Sequence, residues 1–190
     1  MASSIPFEQL TGPLVVWLAP VGEAVPVVNV TPAGNWYQLG PTDGEHSIQH
    51  VGRLTYFRDN DSRGPVKAVR PDEDVIIRFN LVALTLEDYA RVLDDAANIV
   101  SAGGPPATKK LPHIRGATPN EYAVLFKGDA LSPYGNFPGQ YVLPRAVFDD
   151  EPQPTYGRDQ RAMLACEVHA LVDQVVAAAD KLGFLIVQTS

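Results

Sequence analysis

Between Trp36 and Leu93 the chain carries a β-hairpin pattern with a charged tip, then an alternating strand that runs into one capped helix. That order restricts the fold more than any other segment, because it demands a sheet with a long protruding connection and one helix laid against it. The first arm, Ser47 to Phe57, mixes Ile48, His50, Leu54, Tyr56 and Phe57 with Gln49, Gly52, Arg53 and Thr55. Its strand character rests on β-branched and aromatic content more than on clean alternation. The tip, Arg58, Asp59, Asn60, Asp61, Ser62, Arg63, Gly64 and Pro65, holds turn formers and both charge signs, a composition that favours solvent or another polar surface over a core. The return arm, Val66 to Arg70, is followed by Pro71, Asp72, Glu73 and Asp74, which read as an acidic corner ending one strand and starting the next.

The strand after that corner has the cleanest pattern in the chain. Val75, Ile77, Phe79 and Leu81 fall on one face, and Ile76, Arg78, Asn80 and Val82 on the other. A helix start follows: Thr85 suits an N-cap, Asp88 can close a capping box, and Leu84 with Tyr89 can form a hydrophobic staple. Leu86, Tyr89, Ala90, Leu93 and Ala97 recur at helical spacing, which predicts a helix from about Leu86 to Asn98 with one stripe on the sheet. Glu87 and Asp88 occupy the first turn, where the helix dipole favours carboxylates.

Elsewhere, Pro13 to Ala19 forms a short apolar strand, with Val25 to Val30 as its candidate partner. Residues 1–12 read as an N-terminal arm. Residues 101–119, with four prolines, three glycines and a basic pair, read as a long loop suited to docking on a neighbour. Tyr122 to Gly128 resumes as a strand, and Gln140 to Phe148 alternates around Pro144, which points to an edge or a bulge. Asp149 to Tyr156 is polar and turn-rich. Two periodicities fit the segment after Ala162. Leu164, Val168, Leu171, Val175, Ala178 and Leu182 match a helix stripe, whereas Ala162, Leu164, Cys166, Val168, Ala170 and Val172 match a strand face.

A chain of 190 residues with 45% hydrophobic and 19% charged side chains fits one globular domain, and no internal repeat divides it. Its 17 prolines and 15 glycines favour several short elements with frequent turns over a helical bundle. The net charge of −7 argues against tight binding to phosphates, which needs a basic face. The same charge is also ordinary for an acidic globular protein. With Cys166 as the only cysteine no internal disulfide can form, and the residue reads as a small core side chain. No apolar run approaches a membrane span, and no secretory leader pattern opens the chain, so the reading is of no membrane association and of synthesis in the cytoplasm.

The chemistry-bearing residues do not converge on a reaction. His46 and His50 are four apart, but on a strand that places them roughly 13 Å apart, too far for one ion. Cys166 and His169 face opposite sides of a strand, and no nucleophile elbow or phosphate-cradling glycine loop is present. Asp72, Glu73 and Asp74 fit a solvated strand corner better than a catalytic pair. No catalytic residue, metal or cofactor is expected. The aromatic loop from Tyr134 to Tyr141 resembles the content of carbohydrate-binding loops, so a sugar-binding β-sandwich is the alternative from another class.

Several of these patterns together resemble the tail tube (major tail) proteins of long-tailed bacteriophages. The carrying residues are Trp36-Tyr37-Gln38-Leu39-Gly40-Pro41-Thr42-Asp43-Gly44, the charged hairpin, Pro65-Val66, the alternating strand and the Leu84 to Leu93 helix. In the C-terminal half they are Leu164 to Asp173 and Gly183 to Val187, which look like paired closing strands. The resemblance implies a mainly β fold, a β-sandwich or barrel with one flanking α-helix, and a strand from 162 to 172. It implies a non-enzymatic subunit forming six-membered rings stacked as a hollow tube, through which DNA passes without specific binding. Partners would be other copies and the tape measure, tail-tip and terminator proteins, and the location would be the virion tail, assembled in the host cytoplasm. On that reading the tip Arg58 to Pro65 is the loop contacting the next ring, and Asp72, Glu73 and Asp74 line the lumen or a ring edge. Six copies at −7 would give a ring of −42 that repels DNA phosphates.

Overall fold

The alternation of Val75, Ile77, Phe79 and Leu81 belongs to one long strand. In a computed structural model, which describes residues 12–82, 85–113, 118–149, 152, 154–158 and 161–190, that strand begins at Lys67 and ends at Leu81. In chain order the elements are β1 (Val15–Pro20), β2 (Tyr37–Gln38), β3 (Thr42–Phe57), β4 (Lys67–Leu81), α1 (Leu86–Val92), a 3-10 turn (Ala96–Asn98), β5 (Val100–Ala102), β6 (Thr108–Lys110), β7 (Tyr122–Gly128), β8 (Gly139–Asp149), β9 (Pro154–Thr155), β10 (Met163–Ala170) and β11 (Phe184–Val187). The fold is mainly β with a single α-helix among the described residues. Nine strands form one antiparallel sheet with the path β2-β1-β7-β8-β10-β4-β3, while β11 pairs with β8 and β9 with β10. Strands β5 and β6 form a separate small hairpin.

The sheet is rolled. Phe79 of β4 and Phe126 of β7, separated along the path by β8 and β10, meet edge-on with ring centroids 5.5 Å apart. The Thr42 hydroxyl at the start of β3 donates to the Leu14 carbonyl at 3.0 Å, which brings the β3 edge to the start of β1 near the other end of the path. Enclosed between them are Val16, Leu18, Ile77, Leu81, Val124, Leu164, Cys166 and Val168, with Ala90 and Val92 of α1 also buried. The opposite face of β1, β7 and β8 has its own smaller cluster, Ala19, Trp36, Ala123, Leu125 and Val142.

That second cluster explains the first departure from the sequence reading. Residues 25–30 do not pair with β1, whose two edges are taken by β7 and β2. They cross the sheet as a strap, held where buried Gln140 donates to the Pro26 carbonyl at 2.8 Å and Lys127 to the Val30 carbonyl at 2.5 Å. Burial lowers the Lys127 ammonium from its usual value.

Helix α1 stops at Val92, short of the predicted Asn98. Asp94 takes the left-handed conformation (φ 60°), its amide bonds the Arg91 carbonyl, and the Asp95 amide bonds the Ala90 carbonyl at 2.7 Å. This is a Schellman closure with aspartate in the position glycine usually holds. The N-terminal end matches expectation in part: the Thr85 side chain accepts from the Asp88 amide at 3.1 Å, but the Asp88 carboxylate turns to side chains instead of closing a capping box. The proposed staple involves Leu84, which lies outside the described residues.

Three further expectations are corrected. Residues 101–119 do not form one long loop, because β5 and β6 pair within them. Asp72, Glu73 and Asp74 do not form a corner; they lie inside β4, where the register against β3 shifts between Arg53 and Thr55 and leaves one extra residue on the β4 side near Pro71. Proline is tolerated there because β10 pairs with β4 only from Ile76 onward and nothing needs the missing N–H. Within the segment Asp149 to Tyr156, Pro154 and Thr155 form β9.

Other expectations hold. Met163 to Ala170 is a strand and not a helix, with Leu164, Cys166, Val168 and Ala170 inward. Pro144 sits at a bulge, since β8 spends three steps from Leu143 to Ala146 while β7 spends two from Val124 to Tyr122. β11 joins β8 through a tight approach at Gly183, whose φ is +131° and where a Cβ would lie 2.7 Å from the Val142 carbonyl oxygen.

Candidate assembly surface

Beyond the point where β10 leaves β4, at the His169–Ile76 pair, β3 and β4 continue with only each other as neighbours among the described residues. The free ribbon, His50 to Phe57 against Lys67 to Val75, projects roughly 25 Å at strand rise. Alternation puts Leu54, Tyr56 and Ala68 on the face that nearer the body carries Ile48 and Ile77. Val51, Phe57 and Val69 fall on the other. Tyr56, Phe57 and Val66 are each more than half exposed, and Leu54 is 44% exposed. An isolated two-stranded ribbon is marginally stable in water, and this one shows apolar side chains to solvent on both faces.

The predicted tip residues, Arg58, Asp59, Asn60, Asp61, Ser62, Arg63, Gly64 and Pro65, sit together at the far end, all exposed, closed by the Val66 amide bonding the Phe57 carbonyl at 2.9 Å. The three acidic residues lie apart from them at the root. Cross-strand pairing puts Asp72 and Asp74 opposite Arg53 and Val51 on one face, and Glu73 opposite Gly52 on the other.

Charges brace that root. Arg78 grips Glu167 through two bonds of 2.5 and 2.8 Å and also reaches Gln49 at 2.7 Å. The guanidinium holds the Glu167 carboxyl below its usual range. His169 faces Glu167 and Asp149 with Nε2, at 2.9 and 3.6 Å, and Asp74 with Nδ1, at 3.4 Å. On the other face the Arg70 side chain lies across Gly52, where a Cβ would be 3.1 Å from it, and pairs with Glu73 at 2.9 Å. A groove of about 620 Å³ separates this root from the 172–183 segment, lined by His50, Gly52, Glu73, Val75, Ala178 and Leu182.

That 58–65 form an exposed hairpin tip was legible in the sequence; the brace at the root and the exposure of the apolar arm were not. The available signal was Arg78 and Glu167, two charges set inside otherwise apolar strand patterns.

The remaining chemistry stays dispersed. Cys166 is buried, its thiol pushed up to about 12 by desolvation, and His169 lies on the opposite face of β10. His46 stacks on Phe79 with centroids 6.1 Å apart, its Nε2 buried without a partner, and burial lowers its pKa. Among the described residues no group of three or more His, Cys, Asp or Glu is placed to hold a metal ion. Among them, too, no helix is long and apolar enough to cross a membrane. In the Tyr134–Tyr141 loop, Tyr134 is exposed, Phe137 packs over Gly135, and Tyr141 packs against the core.

No known family profile matches the chain, and no curated protein matches it. Among solved structures, a chain of the 6-fold symmetrised cryo-EM structure of the anti-feeding prophage (AFP) baseplate superposes over 98% of this chain and 97% of its own, with a TM-score of 0.49 and 10% identity. A superposition at that level leaves function to the residues themselves.

Proposed function

We propose that this chain is a structural, non-enzymatic subunit of a phage tail or phage-derived particle, its copies closing into six-membered rings that stack as a hollow tube. The observation that carries the reading is the β3–β4 arm, a ribbon whose two outer edges and apolar side chains have no partner within the described residues. Exposed edges of this kind are satisfied by strand pairing or docking with another chain. The sequence patterns that resemble tail tube proteins supply the choice of identical copies, and head-to-tail contacts between them would propagate into a polymer.

In this reading Arg58 to Pro65 contacts the adjacent ring, Asp72, Glu73 and Asp74 face the lumen or a ring edge, and DNA passes without specific binding. Tape measure, tail-tip and terminator proteins would meet the ends of the tube, and the protein would act within the virion after assembly in the host cytoplasm.

Removing Asn60 to Gly64 tests it: the variant should fold as a monomer and fail to elongate in negative-stain micrographs. Tubes of normal length from that variant would remove the tip from the contact. A wild-type protein that stays monomeric at every concentration and binds a glycan saturably would replace the reading with the sugar-binding alternative.

A further inference from the structure

His169 is the last residue of β10 to pair with β4, opposite Ile76, and it lies on the face turned away from the core. Beyond it β4 keeps only β3 as a neighbour among the described residues, so this imidazole stands where the body ends and the arm begins. Carboxylates reach it from three strands. Glu167 of β10 lies 2.9 Å and Asp149 of β8 3.6 Å from Nε2, while Asp74 of β4 lies 3.4 Å from Nδ1. The cations on the same strands are engaged with other carboxylates: Arg78 of β4 grips Glu167, and Arg145 of β8 is held by Glu121 through two bonds of 2.6 Å. On β3 the residue reaching this cluster is the uncharged Gln49, which bonds Arg78, and His50 falls on the opposite face of the ribbon.

Counting protons separates the three partners. A neutral imidazole has one N–H, and a carboxylate beside its bare nitrogen meets a lone pair, whereas an imidazolium donates from both nitrogens. Glu167 sits nearest, at Nε2, so a neutral ring can satisfy that contact and leaves Asp74 facing Nδ1 without a donor. Uptake of a proton adds the N–H that Asp74 accepts. It also relieves repulsion, since Asp74, Asp149 and Glu167 against Arg78 leave a net of −2 beside a neutral ring and −1 once the ring is charged. Glu167 stays an anion through that change, because Arg78 holds its carboxyl below the usual range. The His169 side chain is 23% exposed, so its pairing is screened less than that of a surface ion pair. Asp74 belongs to the arm, and Glu167 and Asp149 to the body. On the ribbon's other face the open groove of about 620 Å³ leaves the root room to pivot.

We propose that His169 is a proton-operated clamp on the arm. As an imidazolium it bridges Asp74 to Glu167 and Asp149 and holds the ribbon at its root; as a neutral ring it releases Asp74, and the ribbon pivots at the His169–Ile76 pair. Imidazoles change charge between about pH 5 and 8, so the root is firm on the acidic side of that range and loose on the alkaline side. The device sets the freedom of the arm and does not depend on what the arm contacts.

Amide exchange on the full chain, kept dilute and monomeric, tests this. From about pH 8.5 to about pH 5.5, after correction for intrinsic rates, protection of the hydrogen-bonded amides in 50–53 and 72–75 should rise about three- to fivefold. The rise should track the His169 ring nitrogens followed by nitrogen-15 NMR. In His169→Gln it should vanish; His50 is still present in that variant, so a rise that survives there would overturn the clamp. Asp74→Ala, which leaves the body's side chains in place, should lose the same pH dependence while its imidazole still titrates. Wild-type protection that stays flat while the ring changes charge overturns the proposal, as does a ring that keeps one protonation state across the range. These outcomes leave the assembly reading untouched, since the deletion of Asn60 to Gly64 tests it separately.

Discussion

Tyr37 and Asp88 are 51 positions apart in sequence, yet their 2.7 Å hydrogen bond ties helix α1 to the edge of the sheet. The Asp88 carboxylate is 3% exposed, and its second oxygen accepts from the Thr85 hydroxyl at 2.6 Å. Arg91 lies over the Tyr37 ring at 3.7 Å, so the same tyrosine meets the helix through its face and through its hydroxyl. Burial, and then the bond to Asp88, raises the tyrosine pKa, which keeps the hydroxyl a donor. A buried carboxylate that loses one of two donors retains the desolvation cost without its compensation. Tyr37→Phe should therefore destabilise the fold by about 1–3 kcal/mol, read as a lower urea midpoint with unchanged slope. A midpoint equal to that of the wild type would mean that water substitutes for the phenol. The sequence offered a capping role for Asp88, a local reading. What it could not display was a partner from another strand, because only the folded chain brings Tyr37 there.

Among the elements, helix α1 closes without the residue that usually marks a helix end. Helical spacing continued to Ala97, and the usual stop signal, a glycine, was missing. Asp94 ends the helix in a left-handed conformation that costs an aspartate more than a glycine. Its Oδ1 is buried with no hydrogen-bond partner, and burial raises the carboxyl pKa above its ordinary value. A carboxyl whose folded pKa is raised favours the fold below the unfolded carboxylate range, and that contribution is lost as pH rises through the folded value. Asp94→Gly removes both liabilities. It should stabilise the protein by about 1 kcal/mol near neutral pH, with a smaller gain once pH falls below the carboxylate range, measured by thermal melts across pH. A gain that is the same at both ends would assign the effect to backbone strain alone. The legible elements carried an intact period or a local signal: Val75 to Leu81, the Thr85 start and the Pro144 bulge; over 163–170 helix and strand periods both fit, and the resemblance chose the strand. The strap at 25–30 and the β5–β6 hairpin escaped because valine runs and proline-rich turns fix local geometry without naming a partner. The long reach of β4 through Asp72, Glu73 and Asp74 escaped because a bulge at Pro71 breaks the alternation on which strand recognition depends.

At the scale of the whole molecule, two regions of unequal self-sufficiency are joined by continuous strands. The body buries Phe126, Ile77, Leu125 and Leu164 completely or nearly so, while the arm beyond Gln49 has one hydrogen-bonded neighbour and no core. Local opening free energy should follow that division, since amides protected only by a two-stranded ribbon open without disturbing the body. In dilute monomer, amides of residues 50–57 and 67–74 should exchange at least about a hundredfold faster than those of 76–81, 123–126 and 164–170, after correction for intrinsic rates. At assembling concentrations the arm should gain protection and the body should change little, because docking supplies to the ribbon the neighbour its own chain does not. The converse result is equally informative. An arm protected as strongly as the core in dilute monomer would show that the brace of Arg78, Glu167 and His169 suffices to hold it, and the physical reason for seeking a partner would be gone.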